Sequence, residues 1–342
     1  MSTPPRLEVN NLSTCFHTDE GAVHSVADVS FAIHPGQTTA LVGESGSGKS
    51  VTSLTLMRLL ARTARTTVSG EAWFVDREGR RVDLLQLPEA QMRRIRGNQI
   101  AMIFQEPMTS LNPVFTIGEQ IAESVRLHKG ADRRGALAQA LRMLELVEIP
   151  AAAQRLHEYP HQLSGGMRQR VMIALAMACD PTLLIADEPT TALDVTIQAQ
   201  ILELMRRLQR ETGTSILFIT HNLGVVAHHA DQVAVMYAGR IVETAPVREL
   251  FARPRHPYTQ GLLACLPARQ PRFSGVSGPR RLIAIRGQVA SPFAPPPGCA
   301  FAPRCDHVRA ECDAAMPALR DDGAQRQTRC VLTHADLGAL AA

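Results

Sequence analysis

A glycine-rich segment near the N-terminus constrains the fold of this chain more than any other feature. The segment GESGSGKS, Gly43 to Ser50, follows the apolar run TTALV and precedes a stretch with helical periodicity. The pattern G-x-x-x-x-G-K-S between a buried strand and a helix is typical of a loop whose backbone N–H groups surround phosphates. We therefore expect Lys49 to reach the β- and γ-phosphates of a nucleotide and the Ser50 hydroxyl to bind Mg²⁺. The other loop residues expected to contact the nucleotide are Gly43, Glu44, Ser45, Gly46, Ser47 and Gly48.

The composition is that of a globular protein. The 342 residues are enough for one large domain, or for one large and one small domain, and a hydrophobic content of 45% is ample for a globular core. The N-terminus lacks the basic start and apolar run of a secretory signal, so a cytosolic location is expected. Apolar stretches stay below the roughly 18 to 20 residues of a membrane span, so any role at a membrane would be peripheral.

The charge pattern argues against a nucleic-acid surface. The formal net charge is +4, and the arginines are dispersed among acidic residues. A nucleic-acid-binding face would show a basic stripe with interleaved aromatic residues. No nucleic-acid partner is therefore expected.

Hydrophobic periodicity predicts an α/β fold. Alternating residues in LEVNNL and SVADVSFAI predict strands near the N-terminus, and PTLLIADEP, TSILFIT and DQVAVMYAG predict three more, each preceded by a helical segment. Buried strands separated by helices indicate a mostly parallel sheet. Residues 116–152 predict a helical insertion, and residues 69–96 look irregular. Beyond Phe251, frequent proline and glycine predict a small loop-rich C-terminal domain.

Two carboxylates end the apolar strand LLIADE. Asp187 is predicted to hold Mg²⁺, and Glu188 to polarise the water that attacks the nucleotide. Acidic residues after a strand are more often a helix cap or a solvated turn. The phosphate-binding loop in the same chain favours the catalytic interpretation.

The segment LSGGMRQR, Leu163 to Arg170, resembles the signature of ATP-binding cassette ATPases, with Met167 where glutamine is commoner. Taken alone, a serine before two glycines is more often a simple N-cap. The resemblance implies that Ser164, Gly165 and Gly166 bind the ATP of a second subunit.

Other elements of that family occur in the family's order. Gln105 in IFQEP matches the glutamine that senses the γ-phosphate and binds Mg²⁺, and Asp194 ends the TALD segment. His221 in ITHNL matches the switch histidine, although Asn222 stands where aspartate is usual. Phe16 lies where the family stacks an aromatic ring on adenine, and core packing is the equal alternative for this residue.

The resemblance narrows to the ATP-binding subunits of bacterial dipeptide and oligopeptide importers. It rests on MIFQEPMTSLNP, YPHQLSGGMRQRVMIALAMACDPTLLIADEPTTALDVTIQAQI, HPYTQGLLACLP and GCAFAPRC, and it covers essentially the whole chain. Nickel and glutathione importers share much of this pattern. The fold it implies is a P-loop NTPase (RecA-like) core with an antiparallel β subdomain. Residues 1–255 would form the nucleotide-binding domain, with a helical subdomain at about 106–165, and residues 256–342 the C-terminal domain.

The resemblance also implies partners. Two ATPase subunits would pack head to tail around two ATP molecules, the second subunit being a paralogue. Two permease subunits would dock on the segment from Glu106 to Glu123, and an extracytoplasmic solute-binding protein would deliver the solute. The subunit would lie at the cytoplasmic face of the inner membrane.

Four of the seven cysteines, Cys299, Cys305, Cys312 and Cys330, lie near the C-terminus. Such thiols in a reducing compartment can be free, bind zinc or hold an iron–sulfur cluster. Their spacing contains no C-x2-C pair of the kind that structural zinc sites favour, so a 4Fe-4S cluster is the preferred interpretation. Because the phosphate loop, both carboxylates and the signature all precede residue 200, the cluster is expected to be structural or regulatory.

Two rival functions belong to other classes. Soluble cassette ATPases that act on DNA or ribosomes usually carry two cassettes or long coiled coils, and exporters of drugs or lipids usually fuse the cassette to membrane spans. The chain shows neither pattern.

Overall fold

The structure is a computed structural model, and it describes residues 3–60, 65–105, 110–191, 193–266 and 284–332. The chain forms two compact units. The first comprises Met1–Glu8, Ala32–Thr38 and Ala72–Ile219, and the second comprises Val9–Phe31, Thr39–Glu71 and Thr220–Ala342.

The described residues form the following strands and α-helices. The strands are β1 Leu7–Thr18, β2 Gly21–Ile33, β3 Thr38–Val42, β4 Thr66–Val75, β5 Arg81–Asp83, β6 Ile100–Ile103, β7 Leu183–Asp187, β8 Ser215–Thr220, β9 Gln232–Tyr237, β10 Arg240–Pro246, β11 Arg320–Asp321 and β12 Gln327–Thr328. The α-helices are α1 Lys49–Leu56, α2 Glu89–Ile95, α3 Ile117–Lys129, α4 Arg133–Leu146, α5 Ala152–Arg155, α6 Gly165–Met177, α7 Val195–Thr212, α8 Leu223–His229, α9 Val247–Ala252, α10 Pro257–Ala264 and α11 Ala310–Ala314.

The first unit is built on parallel strands. β6, β7 and β8 pair side by side, with Ile100 opposite Leu183 and Leu183 opposite Ser215. All five residues of β7 are buried, as expected for a strand covered on both faces. Helix α6 packs against β6, and α3 and α4 pack together as the predicted helical insertion. Helix α7 buries a stripe at helical spacing, Ile201, Leu204, Met205 and Leu208.

The second unit contains mixed and antiparallel pairing. β3 runs parallel to β9, β9 pairs antiparallel with β10, and β10 continues through β12 to β11. Residues Val42, Val233, Tyr237, Tyr258 and Phe301 belong to one buried cluster in this unit, so residues after 255 share a core with β9. Partly buried Cys299 and Cys305 pack against the same cluster.

The irregularity predicted for residues 69–96 was wrong. This stretch contains most of β4, all of β5 and helix α2. Gly70 lies within β4, Gly79 lies between β4 and β5, and Pro88 directly precedes α2, so no long periodic run reveals these elements. The predicted strands around residues 183–187, 215–220 and 232–237 are confirmed.

The domain boundaries near 106, 165 and 255 stay predictions, and residues 106–109 lie outside the described residues. Within the described residues, no helix is both long enough and apolar enough to cross a membrane.

Candidate functional site

The phosphate loop, Gly43 to Ser50, connects β3 to α1 in the second unit. At Gly43 an added Cβ would lie 2.1 Å from the Met236 carbonyl oxygen. At Gly48 it would lie 2.2 Å from the Ser25 carbonyl oxygen, and φ is +98°. Any side chain at position 43 or 48 would collide with these carbonyl groups, so both positions require glycine.

Lys49 is held inside the loop. Its side chain is buried, and Nζ donates to the carbonyl oxygens of Gly43 and Glu44, both at 2.9 Å, and to Ser47 Oγ at 3.5 Å. Ser45 and Gly46 at the loop tip are exposed, and Ser50 is half-buried in the first turn of α1. An ammonium group beside the N-terminus of a helix suits a phosphate ligand.

The second unit also contains the predicted adenine-stacking and switch residues. Phe16 is half-buried on β1, and His221 is exposed directly after β8. Asn222 caps α8, because its side-chain oxygen accepts from the N–H groups of Gly224 at 3.0 Å and Val225 at 3.4 Å. Asparagine and aspartate cap helices about equally well, so this departure from the family pattern leaves the helix start satisfied.

The predicted carboxylates lie at the end of β7 in the first unit. Asp187 is buried as the last residue of the strand, and Glu188 follows in a left-handed conformation with φ of +47°. Gln105 Nε2 donates to Glu188 Oε2 at 3.3 Å. The structure thus brings together two of the three residues predicted to be catalytic.

Thr191, the first residue of the TALD segment, is a second partner of Glu188, and this contact was not predicted from the sequence. Its Oγ1 donates to Glu188 Oε2 at 2.9 Å, and its N–H donates to the Glu188 carbonyl oxygen at 3.1 Å. The Glu188 N–H donates to the Ile219 carbonyl oxygen at 2.9 Å. These contacts fix both the backbone and the side chain of Glu188. A left-handed non-glycine residue costs about 1–3 kcal/mol, and such residues cluster at functional sites.

The signature and the TALD segment both begin helices in the first unit. Ser164 caps α6, where Oγ accepts the Met167 N–H at 3.3 Å, and Asp194 caps α7, where Oδ1 accepts the Ile197 N–H at 3.0 Å. The N-cap interpretation of Ser164 is therefore confirmed. Ser164, Gly165 and Asp194 are nevertheless exposed, and the neighbouring Val195 is 82% exposed.

The four tail cysteines lie in the second unit, and backbone N–H groups approach each sulfur. The donors are Phe301 and Ala302 to Cys299, His307 to Cys305 at 3.4 Å, Arg309 to Cys312 at 3.5 Å, and Leu332 to Cys330. Burial raises the pKa of Cys299 and Cys305, and it raises the pKa of Cys330 to about 11, with a smaller effect from the other three tail thiols.

The donor atoms of the four tail cysteines are of the type that an iron–sulfur cluster needs. Four thiols with N–H donors to sulfur are a donor set that iron–sulfur clusters use. Among the residues that the structure describes, no group of three or more histidine, cysteine, aspartate or glutamate residues is arranged to hold a metal ion. The residues predicted to bind Mg²⁺, Ser50, Gln105 and Asp187, include only one carboxylate, so they would not form such a group. Mg²⁺ is usually bound by one or two carboxylates together with phosphates.

Two family models match the chain. The model for "ABC transporter" matches residues 26–191, and the model for "Oligopeptide/dipeptide transporter, C-terminal region" matches residues 242–312. The first contains the phosphate loop, the signature and Glu188, and the second contains Cys299, Cys305 and Cys312.

Curated relatives match the chain along nearly its full length. A putative peptide import ATP-binding protein of Brucella melitensis is 54% identical over 97% of this chain and 98% of its own. The oligopeptide transport ATP-binding protein AppD of Bacillus subtilis is 50% identical over 95% of this chain and 96% of its own.

Solved structures share the fold. The dimeric ATP-binding cassette MJ0796, in a post-hydrolysis state with ADP and Pi, has a TM-score of 0.62 at 26% identity, covering 71% of this chain and 99% of its own. The cbiO1 protein of Clostridium perfringens, part of the transporter complex cbiONQ, has a TM-score of 0.60 at 25% identity, covering 73% of this chain and 92% of its own.

Proposed function

Because the chain belongs to the ABC transporter family, in the group that carries the oligopeptide/dipeptide transporter C-terminal region, we propose that it hydrolyses ATP to energise import of dipeptides or oligopeptides across the bacterial inner membrane. The observation that carries the hydrolytic role is the Glu188 carboxylate, which Gln105 and Thr191 hold at the end of β7. The relatives named for peptide transport support the solute class.

Each predicted site residue then has a chemical role. Lys49 and the loop N–H groups neutralise the β- and γ-phosphates, and Phe16 stacks on adenine. Glu188 accepts a proton from the attacking water as the water oxygen bonds to the γ-phosphorus and the bond from that phosphorus to the bridging oxygen breaks, which releases ADP and phosphate. His221 stabilises the charge that develops on the γ-phosphate. The oxygen ligands proposed for Mg²⁺ are Ser50, Gln105 and Asp187.

The active form is proposed to be a head-to-tail dimer of ATPase subunits. Ser164, Gly165 and Gly166 of one subunit would bind the γ-phosphate held by Lys49 of the other, and Asp194 would lie at the same interface. The exposure of Ser164, Gly165 and Asp194 supports this role, because side chains and backbone that contact a second subunit's nucleotide must be accessible in the single chain.

The complete transporter would contain two permease subunits, a paralogous ATPase subunit and an extracytoplasmic solute-binding protein. The chain would then lie peripherally at the cytoplasmic face of the inner membrane. ATP-driven closure of the dimer would switch the permeases between their inward-open and outward-open states. No nucleic-acid partner is proposed.

The function class is tested by purification from native membranes. We expect the chain to co-purify with permease subunits and its ATPase activity to rise when peptide-loaded binding protein is added. If only nickel-loaded or glutathione-loaded binding protein stimulates the ATPase activity, the transported solute is nickel or glutathione and not a peptide. Binding to DNA with a steep salt dependence, in the absence of permeases, would contradict the importer role.

The C-terminal cysteines are proposed to hold a 4Fe-4S cluster with a structural or regulatory role. Cys299, Cys305, Cys312 and Cys330 would supply four thiolates, and the N–H groups directed at sulfur would stabilise their charge. Such a cluster would cross-link a tail whose described elements are short, among them the five-residue α11 and the two-residue strands β11 and β12.

Anaerobically purified protein is accordingly expected to be brown, with broad absorption near about 400 nm and roughly four iron atoms per chain. Cys312→Ser should lower the iron content and speed proteolysis of the tail, because a ligand is lost. Cys265→Ser is the matched control, since this half-buried cysteine lies outside the proposed set. Colourless anaerobic protein with one zinc ion per chain would contradict the cluster.

A further inference from the structure

Glu44, the second residue of the phosphate loop, is hydrogen-bonded to two side chains from the C-terminal part of the chain, Tyr258 and Arg304. Arg304 Nη1 donates to Glu44 Oε2 at 3.0 Å, and Arg304 Nη2 donates to Oε1 at 3.3 Å. The Glu44 backbone N–H donates to the Tyr258 hydroxyl at 3.0 Å. Burial raises the pKa of Tyr258, so this hydroxyl stays neutral.

Arg304 is itself fixed by several contacts. Its side chain is only 5% exposed, Nε donates to the Arg286 carbonyl oxygen at 2.9 Å, and Nη1 also donates to the Tyr237 hydroxyl at 3.3 Å. The guanidinium lies 5.7 Å from the centre of the Tyr237 ring and 5.9 Å from that of Phe301. A planar guanidinium packed in this way presents a rigid two-point contact to a carboxylate.

The same glutamate also holds the phosphate-binding lysine. The Glu44 carbonyl oxygen accepts from Lys49 Nζ at 2.9 Å and from the Ser47 N–H at 3.2 Å. Tyr258 and Arg304 therefore fix a residue whose carbonyl helps to place the lysine. A shift of Glu44 would move the loop N–H groups and the Lys49 ammonium together.

We propose that Arg304 is a positioning residue for the phosphate loop, through which the cysteine-rich tail sets the affinity of the chain for nucleotide. This inference rests on the proposed function, because it requires ATP to bind at Lys49. Arg304 directly precedes Cys305, and the Arg304 N–H donates to the Phe301 carbonyl oxygen at 2.9 Å, so the tail backbone carries the arginine.

Arg329 provides a matched control. It is also 5% exposed, pairs with a carboxylate, Asp28, at 3.0 Å, and directly precedes a tail cysteine, Cys330. Asp28 lies outside the phosphate loop. Arg329→Met should therefore remove a comparable buried ion pair of the tail while leaving the contacts of Glu44 in place.

The test measures the KM for ATP and kcat of the assembled transporter. Arg304→Met and Glu44→Gln should each raise the KM about tenfold and change kcat less than about twofold, because the loop is misplaced while Glu188 is untouched. The double variant should be no worse than either single one. Arg304→Lys, which keeps the charge but loses the two-point contact, should restore part of the affinity. Arg329→Met should keep the wild-type KM.

Equal effects of Arg304→Met and Arg329→Met on KM would overturn the proposal, as would additive effects in the double variant. Should Arg304→Met fail to fold, Arg304→Lys and Glu44→Gln supply the same comparison. Lys49→Ala separates this inference from the proposed function. If Lys49→Ala binds ATP as tightly as the wild type, the nucleotide site itself is wrong; if only that variant loses binding, the nucleotide site stands and the role of Arg304 fails.

Discussion

Glu188→Gln is expected to slow ATP hydrolysis by the assembled transporter by about 10²–10⁴-fold while leaving ATP binding nearly unchanged. The substitution keeps the shape of the side chain and can still accept from Gln105 or Thr191, but it removes the carboxylate that takes the proton from water. ATP should therefore trap the ATPase dimer in its closed form. Single-turnover hydrolysis and ATP-dependent dimerisation measure the two effects separately.

Glu145→Gln is the control for this experiment, since Glu145 is an exposed glutamate of α4 in the same unit. The control should hydrolyse ATP at the wild-type rate. Wild-type hydrolysis by Glu188→Gln would remove Glu188 from the mechanism.

Ser164→Arg and Lys49→Ala are expected to damage opposite nucleotide sites of a dimer with a distinguishable partner. Lys49 lies in the phosphate loop, and removing the ammonium group proposed to bind the phosphates in its own subunit should weaken that site about ten- to hundredfold. Ser164 is exposed, and a bulky arginine there should block the site built on the partner's phosphate loop. Site-resolved nucleotide trapping measures each site.

Glu145→Arg controls for the added charge and should leave both sites intact. Damage to the same site by Ser164→Arg and Lys49→Ala would contradict the head-to-tail arrangement.

Local sequence was sufficient to predict the phosphate loop and the carboxylate strand. In both cases the signal lies within a few residues, in the glycine spacing before Lys49 and in the apolar run before Asp187 that makes a buried strand. The same locality explains the N-caps at Ser164 and Asp194. The contacts that require glycine at 43 and 48 come from Met236 and Ser25, which lie elsewhere in the chain.

Contacts between distant residues could not be predicted. Arg304 and Glu44 are 260 residues apart, and neither motif contains a sign of the other. The donation from Thr191 to Glu188 depends on the turn after β7 and on the left-handed backbone of Glu188, which residue types alone do not specify. A hydroxyl three residues after a catalytic acid is the one signal that could have found it.

The central claim, that ATP hydrolysis by this chain energises peptide import, is tested most directly by uptake of a labelled oligopeptide into proteoliposomes. These would contain both permeases and both ATPase subunits, with binding protein on one side and MgATP on the other. The account predicts accumulation of peptide that requires ATP and falls to background with Glu188→Gln. Equal uptake without ATP, or with the Glu188→Gln variant, would contradict it.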